Sequence, residues 1–289
     1  MRTFPGVATW LRRRGASDLA PPAPLCCDAC MRGELEHGYG TGVHILDDPF
    51  LRSLLARLGS PRTQMPEVRA LLADVYHGLL GAVLANEFPC AERRVETRMS
   101  QFTERGFFEG ELLDPGTQVV IACVVRAGVL PSEICLDLLG KVLDPANIRL
   151  DYLSMSRCVD ANGQVTGTDE SGVKIGGPIH DAMLLIPDPM GATGGTVART
   201  LEIYRERDFG TARKTIALPM IATPEFMGNM RTKCPDLTIY TARLDRGLSS
   251  AEVLQQAPGT VEGECGLTER QYIVPGAGGL GEILTNSWI

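Results

Sequence analysis

Residues 181–210 read DAMLLIPDPMGATGGTVARTLEIYRERDFG. An apolar run ends at one acid, Asp188; a turn of small residues, ATGGT, follows; then a segment with helical spacing begins. A strand, a glycine-rich turn and a helix start in this order aim several backbone N–H groups and the positive end of a helix dipole at one point, which suits a phosphate. Gly194 and Gly195 permit close approach, and Thr193 and Thr196 add hydroxyl donors. The turn lacks the lysine of a P-loop, and Asp188 at the strand end can accept hydrogen bonds from sugar hydroxyls. A phosphate beside a ribose is the ligand this arrangement suits. Taken alone, Thr-Gly-Gly is more often a tight strand–helix connection whose glycines serve packing only.

Outward from this stretch the chain alternates strand and helix. QVVIACVV (118–125) reads as a strand buried on both faces, PSEICLDLLG as a helix starting at Pro131, and IRLDYLSM (148–155) as a strand. AMLLIP is another strand, followed by a helix after 194, one strand over TIALPMIA (215–222), a helix near 225–233 and a strand at LTIYTA (237–242). That order predicts an α/β fold with a largely parallel sheet flanked by helices. Ligands of such sheets bind outside the carboxyl ends of the strands, so the turns after Val125, Met155 and Pro187 are where chemistry is expected. The polar, glycine-rich segment 158–180 reads as a mobile flap between two sheet strands. Upstream, DDPFLRSLLARLG (47–59) has an Asp cap, Pro49 in the first turn and Gly59 at the stop. MPEVRALLADVYHGLLGAVLANEF (65–88) sets Leu72, Val75, Leu79 and Val83 on one helical face. His77 on that helix reads as a packing or surface residue.

At 289 residues with 44% apolar and 22% charged residues, the chain fits one main domain with appendages. A net charge of −7 argues against nucleic acid as a partner, since duplex binding needs a basic face. The nine cysteines are dispersed and several sit in apolar runs, where they read as small core residues of a protein in a reducing, cytoplasmic setting. No apolar run reaches the roughly 18 residues of a membrane helix, so no membrane partner is expected. The first 35 residues are separate in texture, rich in Pro, Gly and Cys, and read as an N-terminal arm; their acid-free, Arg-rich start is a composition shared with organelle transit peptides. Cys27 and Cys30 with His37 and His44 form a weak candidate zinc set against a reading of incidental thiols, Cys26 included, and no metal-ligating residue is assigned.

IPDPMGATGGTV resembles the loop that binds 5-phosphoribosyl 1-diphosphate (PRPP) in type I phosphoribosyltransferases, and its Asp-Pro-Met-x-Ala-Thr-Gly-Gly form resembles the uracil phosphoribosyltransferase branch. VVRAGV (124–129) resembles that family's Arg-Ala-Gly turn, YLSMSR (152–157) its strand ending in a second Arg, and QYIVPGAGGLGEI (271–283) its C-terminal uracil-binding segment. The similarity spans about 44–289. It implies an N-terminal extension over 1–35, a phosphoribosyltransferase domain over 36–289 with a flexible flap or hood, and transfer of phosphoribose from PRPP to uracil, giving UMP and diphosphate. Arg126 and Arg157 would grip the diphosphate and Asp188 the ribose hydroxyls, these three being the catalytic set. Pro189, Met190, Gly191, Ala192, Thr193, Gly194, Gly195 and Thr196 would wrap the 5-phosphate, with Gly279 also near PRPP. Ile273, Gly278, Gly279 and Leu280 would recognise the base through backbone groups. The resemblance further implies Mg2+ carried with PRPP and a homodimer or larger homo-oligomer.

This chain departs from the family where the base and flap lie. The family's usual Pro-Gly-x-Gly-Asp-x-Gly-Asp is here PGAGGLGE (275–282), so Gly279 stands where an acid would and Glu282 replaces the second acid. Gly279 is also expected to exploit positive φ, which an Asp would resist. The segment after Arg157 lacks the family's Glu-Glu-Thr character, and Gly191 replaces a usual Leu. A retained phosphate loop with an altered base end favours PRPP binding with a changed base, or a non-catalytic nucleotide-sensing paralogue, as alternatives to the uracil enzyme.

Overall fold

The computed structural model describes residues 33–159 and 165–287, with backbone alone over 156–159 and 165–171. In chain order the elements are β1 (Val43–Ile45), α1 (Pro49–Leu58), α2 (Glu67–Glu87), β2 (Cys90–Glu96), β3 (Phe107–Leu113), β4 (Val119–Val125) and α3 (Val129–Leu139). Then come β5 (Ile148–Val159), β6 (Val165–Lys174), β7 (Met183–Ile186), β8 (Met190–Gly191), α4 (Gly195–Glu206), β9 (Lys214–Ala217) and β10 (Ile221–Ala222). The last are α5 (Pro224–Lys233), β11 (Thr238–Thr241), β12 (Arg243–Leu244), α6 (Ala251–Leu254) and α7 (Leu280–Thr285). Seven strands form one sheet in the order β1-β11-β9-β7-β4-β5-β6. All neighbours run parallel except β6, which is antiparallel to β5.

The sheet is covered on both faces, and the two-residue period of its central strands shows how. Val119 and Ile121 of β4 and Met183 and Leu185 of β7 point into one core with Leu55, Leu72, Val75, Leu79 and Leu139 from α1, α2 and α3. Val120, Ala122, Leu184 and Ile186 point the other way, against Val197, Ile203 and Tyr204 of α4 and Phe226 and Met230 of α5. Strands buried on both faces carry continuous apolar runs, which is why β4 and β7 were legible. Helix α1 starts as its sequence directs: the Asp48 carboxylate accepts from the Phe50 and Leu51 amides, Pro49 sits in the first turn and Gly59 caps the end. On α2, Leu72, Val75, Leu79 and Val83 are all buried and His77 is exposed. This helix also has the length and mean hydropathy to cross a membrane, against the expectation from apolar runs, but eight of its side chains are buried in the protein core. Burial pushes the thiol of Cys135 up to about 12 and raises that of Cys123, so both are inert packing residues.

Four sequence expectations change. TIALPMIA is not one strand: β9 ends at Ala217, and Pro219, lacking an N–H for the ladder, separates it from β10, which joins β8 and β12 in a small three-stranded sheet. The segment 158–180 contains an edge strand, β6, whose backbone pairs with β5 from Tyr152 to Val159. Helix α3 begins at Val129, with Pro131 inside its first turn rather than at its start. Strands β1, β2 and β3 form where the sequence pattern predicts none. Of the expected N-terminal arm and candidate zinc set, residues 1–32, including Cys26, Cys27 and Cys30, lie outside the described residues. The remainder joins the domain: the Leu35 amide donates to Ile45 O (2.8 Å), His37 Nε2 lies 2.9 Å from Val43 O, and His44 pairs with Glu34 and stacks on Tyr240.

Candidate functional site

Strands β7, β4 and β5 are neighbours, so their carboxyl ends bring three expected site regions together. Arg126 follows β4 directly, and Asp188 stands two residues after β7. Arg157 lies on β5 three residues beyond Ser154, the partner of Val125, with its backbone opposite Thr168. Its side chain is outside the described atoms. Gly128 explains how the first two turns approach one another. A methyl group there would lie 2.6 Å from Val124 O and 3.0 Å from Pro187 O, so only glycine lets the β4 turn press on the end of β7.

The ATGGT turn is braced from behind. Thr223 Oγ1 donates to Ala192 O (2.6 Å), the Thr223 amide to Gly191 O (3.1 Å) and Asn229 Nδ2 to Thr193 O (2.9 Å). With three successive carbonyls held by α5 and the residue capping it, and the Ala192 amide donating to Met190 O (2.9 Å), the turn is fixed without using the amides at the start of α4. Gly194 is in the left-handed region at φ 78° and packs on Met230, where a methyl group would lie 2.5 Å from Cε. It caps α4 with no side-chain hydrogen bond, so the first-turn amides, which have no intrahelical acceptors, are open to an anion. Asp188 is half-buried, and its Oδ1 accepts from the Met190 amide (3.3 Å) in an Asx turn. Pro189 and Met190 connect it to the braced turn, and Thr196 lies in the first turn of α4. Gly191, the position that departs from a usual Leu, has no room for one: a methyl group would sit 2.9 Å from Pro219 Cβ and 3.2 Å from Phe226 Cδ2.

The C-terminal segment reaches the same end of the sheet through Arg126. Arg126 Nη2 donates to Glu282 Oε1 (3.3 Å) and Nη1 to Ser287 O (3.4 Å), so Arg126 takes part in an exposed ion pair. Behind the segment is Asp245, only 2% exposed. Its carboxylate takes a two-pronged contact from Arg243 and the Gly276 amide (2.7 Å), while Arg243 Nη2 donates to Gly276 O (3.1 Å). Gly276 and Gly278 have φ of 64° and 75°, so this turn requires glycine twice. Gly279 does not: its φ is −79°, an ordinary value for any residue, which corrects the expectation of a positive-φ glycine. Ile273 is buried, and Leu280 starts α7. A cavity of about 610 Å³ opens beside Ala277 and Gly278, bounded by Leu58, Met65, Val68 and Ile283. Thr223, Asn229, Arg243 and Asp245 were missed in the sequence because each acts on a backbone carbonyl or amide some 30 residues away. The Arg-x-Asp spacing of Arg243 and Asp245 at a strand end was the one available signal.

A family model described as uracil phosphoribosyltransferase matches residues 45–262, ending before the 271–283 segment. The uracil phosphoribosyltransferase of Shouchella clausii is 25% identical over 242 residues, covering 84% of this chain and 97% of that protein. That of Limosilactobacillus reuteri is 27% identical over 241 residues, covering 83% and 96%, and that of Thermococcus sibiricus 26% identical over 236 residues, covering 82% and 86%. Among solved structures, a protein from Aquifex aeolicus superposes with a TM-score of 0.62 at 20% identity, over 84% of this chain and 97% of that one, which shows a shared fold.

Proposed function

The chain belongs to the uracil phosphoribosyltransferase family, and on that premise we propose that it transfers the phosphoribosyl group of PRPP to uracil, forming UMP and releasing diphosphate. The observation that carries the reading is the open α4 N-terminus at a turn whose Gly191, Ala192 and Thr193 carbonyls are tied from the rear, beside Asp188. Such a turn offers amides and a helix dipole to the 5-phosphate at no reorganisation cost. Asp188, next in sequence, faces the ribose hydroxyls as acceptor. Arg126, with Arg157 on the adjacent strand, takes the growing charge of the departing diphosphate; a guanidinium fork matches phosphate oxygens. Mg2+ enters as part of the PRPP substrate. Displacement at the anomeric carbon passes through an oxocarbenium-like state and needs no protein nucleophile. The protein's contribution is orientation: Ile273 and Gly278 to Leu280 present backbone groups to the base, and the Asp245–Arg243 pair holds their turn in place.

A second reading, transfer to a different heterocyclic base, is favoured by Gly279 and by the cavity beside Gly278. Incubation with PRPP, Mg2+ and a panel of bases separates the readings. UMP and diphosphate from uracil support the first, a different nucleotide supports the second, and no product with any base overturns both in favour of a nucleotide-sensing paralogue. The division into an N-terminal arm, expected at 1–35, and a catalytic domain, expected at 36–289, belongs to the same proposal, with Glu34 and Leu35 paired onto the domain side, as does assembly into a homo-oligomer.

A further inference from the structure

We propose that Glu282 is a positioning residue for Arg126, supplying from position 282 the carboxylate that the family pattern carries at 279. The inference rests on the reading that Arg126 holds the diphosphate of PRPP. Gly279 caps the start of α7 with φ −79° and ψ 85°, so its backbone does not demand glycine. What glycine provides there is space. A methyl group at 279 would lie 2.5 Å from Glu282 Oε2 and 3.4 Å from its Cδ, so the Glu282 carboxylate fills the volume a side chain at 279 would take. Residues three apart on a helix share a face, and Glu is one methylene longer than the Asp the pattern carries at this second position. That methylene lets the carboxylate fold back over residue 279. The loss of one acid and the lengthening of the other are one coupled change.

The other carboxylate oxygen, Oε1, accepts from Arg126 Nη2 at 3.3 Å, while Ser287 O meets Nη1 at 3.4 Å. The end of the chain therefore grips both terminal nitrogens of the guanidinium. Arginine has five N–H donors in a fixed fork, so three remain, one on Nε and one on each terminal nitrogen. Arg126 can stay paired with Glu282 and still bond phosphate oxygens. An exposed ion pair contributes little to stability, but it removes rotamer freedom from a long side chain before the ligand arrives.

The sign of one substitution decides the matter. A carboxylate that merely competed with diphosphate for Arg126 would, once neutralised, tighten PRPP binding; one that positions Arg126 would, once neutralised, weaken it. Calorimetric titration with PRPP and Mg2+ is expected to show Glu282→Gln weakening binding by about tenfold with the melting temperature unchanged. Returning the charge in the double variant Gly279→Asp/Glu282→Gln is expected to recover most of that loss, which a merely structural role would not do. Unchanged or tighter binding in Glu282→Gln, or no recovery in the double variant, overturns the role. Absence of PRPP binding by the unaltered protein would instead overturn the proposed function itself. Independently of any ligand, Gly279→Asp should lower the melting temperature in the natural background and not in the Glu282→Ala background, where the volume beside residue 279 is empty. Equal effects in both would overturn the coupled placement.

Discussion

At the scale of single residues, the candidate site separates groups proposed to touch substrate from groups that hold the fold. Arg126 is 39% exposed on its side chain and pairs only at the surface, so Arg126→Ala should leave stability nearly unchanged. Loss of its charge-assisted contacts should weaken PRPP binding by about 1.5–3 kcal/mol in calorimetry. Asp188→Asn keeps shape but loses charge and acceptor capacity, so the expected outcome is a folded protein with little turnover, checked by melting and diphosphate release. A different residue sets acid sensitivity. His37 accepts the Tyr39 amide at Nδ1 (3.2 Å), so its Nε2 carries the proton toward Val43 O, and the neutral ring is the form that fits. Burial, the leading cause, lowers its pKa below the ordinary 6.5. A depressed folded-state value means the contribution is complete above the unfolded pKa and is lost as pH falls through the folded one. Melting temperatures measured from pH 7 to pH 5 should therefore drop more in the natural protein than in His37→Asn.

At the scale of elements, legibility followed burial. Strand β4 and helix α2 were read correctly because one is covered on both faces and the other carries a 3.6-residue apolar stripe. Strand β2 has no buried residue, so nothing in CAERRVE carries a two-residue period to be read. The ATGGT turn was legible from composition as a glycine-rich strand-to-helix turn, but the parts that brace it were not. Nothing local marks Asn229 or Thr223 as partners of residues 192 and 193. That bracing makes two opposed predictions for one turn. Gly194→Ala forces a side chain into the left-handed region and onto Met230, and should cost about 1–2 kcal/mol of stability in denaturant melts as well as PRPP affinity. Asn229→Ala removes one hydrogen bond from an exposed side chain and should cost only about 0.5–1.5 kcal/mol, yet it frees the Thr193 carbonyl to turn. Its signature is weaker PRPP binding out of proportion to the small stability loss; equal losses in both measurements would mean the turn needs no brace.

At the scale of the whole molecule, the hairpin of β2 and β3 stands outside the main sheet as a two-stranded sheet of its own. An isolated hairpin is at best marginally stable in water, and this one shows apolar side chains to solvent: Phe102 at 78%, Met99 at 55%, Phe108 at 51% and Val95 at 46%. Val95 and Phe108 are cross-strand partners, and exposed apolar side chains gathered on one hairpin suit an interaction site; the charges around them indicate which kind. Residues 90–113 hold four arginines and five glutamates, nearly balanced in a chain whose net charge is −7. A surface of mixed sign complements itself, whereas one built for an anionic or cationic partner would carry a single sign. A second copy of this chain, paired across a two-fold axis, satisfies that pattern because each arginine can meet a glutamate of its mate. The expected outcome is a homodimer or larger assembly in sedimentation velocity, and a shift toward monomer when Phe102→Ser and Phe108→Ser are combined. Both side chains are at least half exposed, so the folded monomer should survive the change. A sedimentation profile that is monomeric before substitution, or unaltered after it, would remove the hairpin as the assembly surface and leave its exposed aromatics to be covered by another protein.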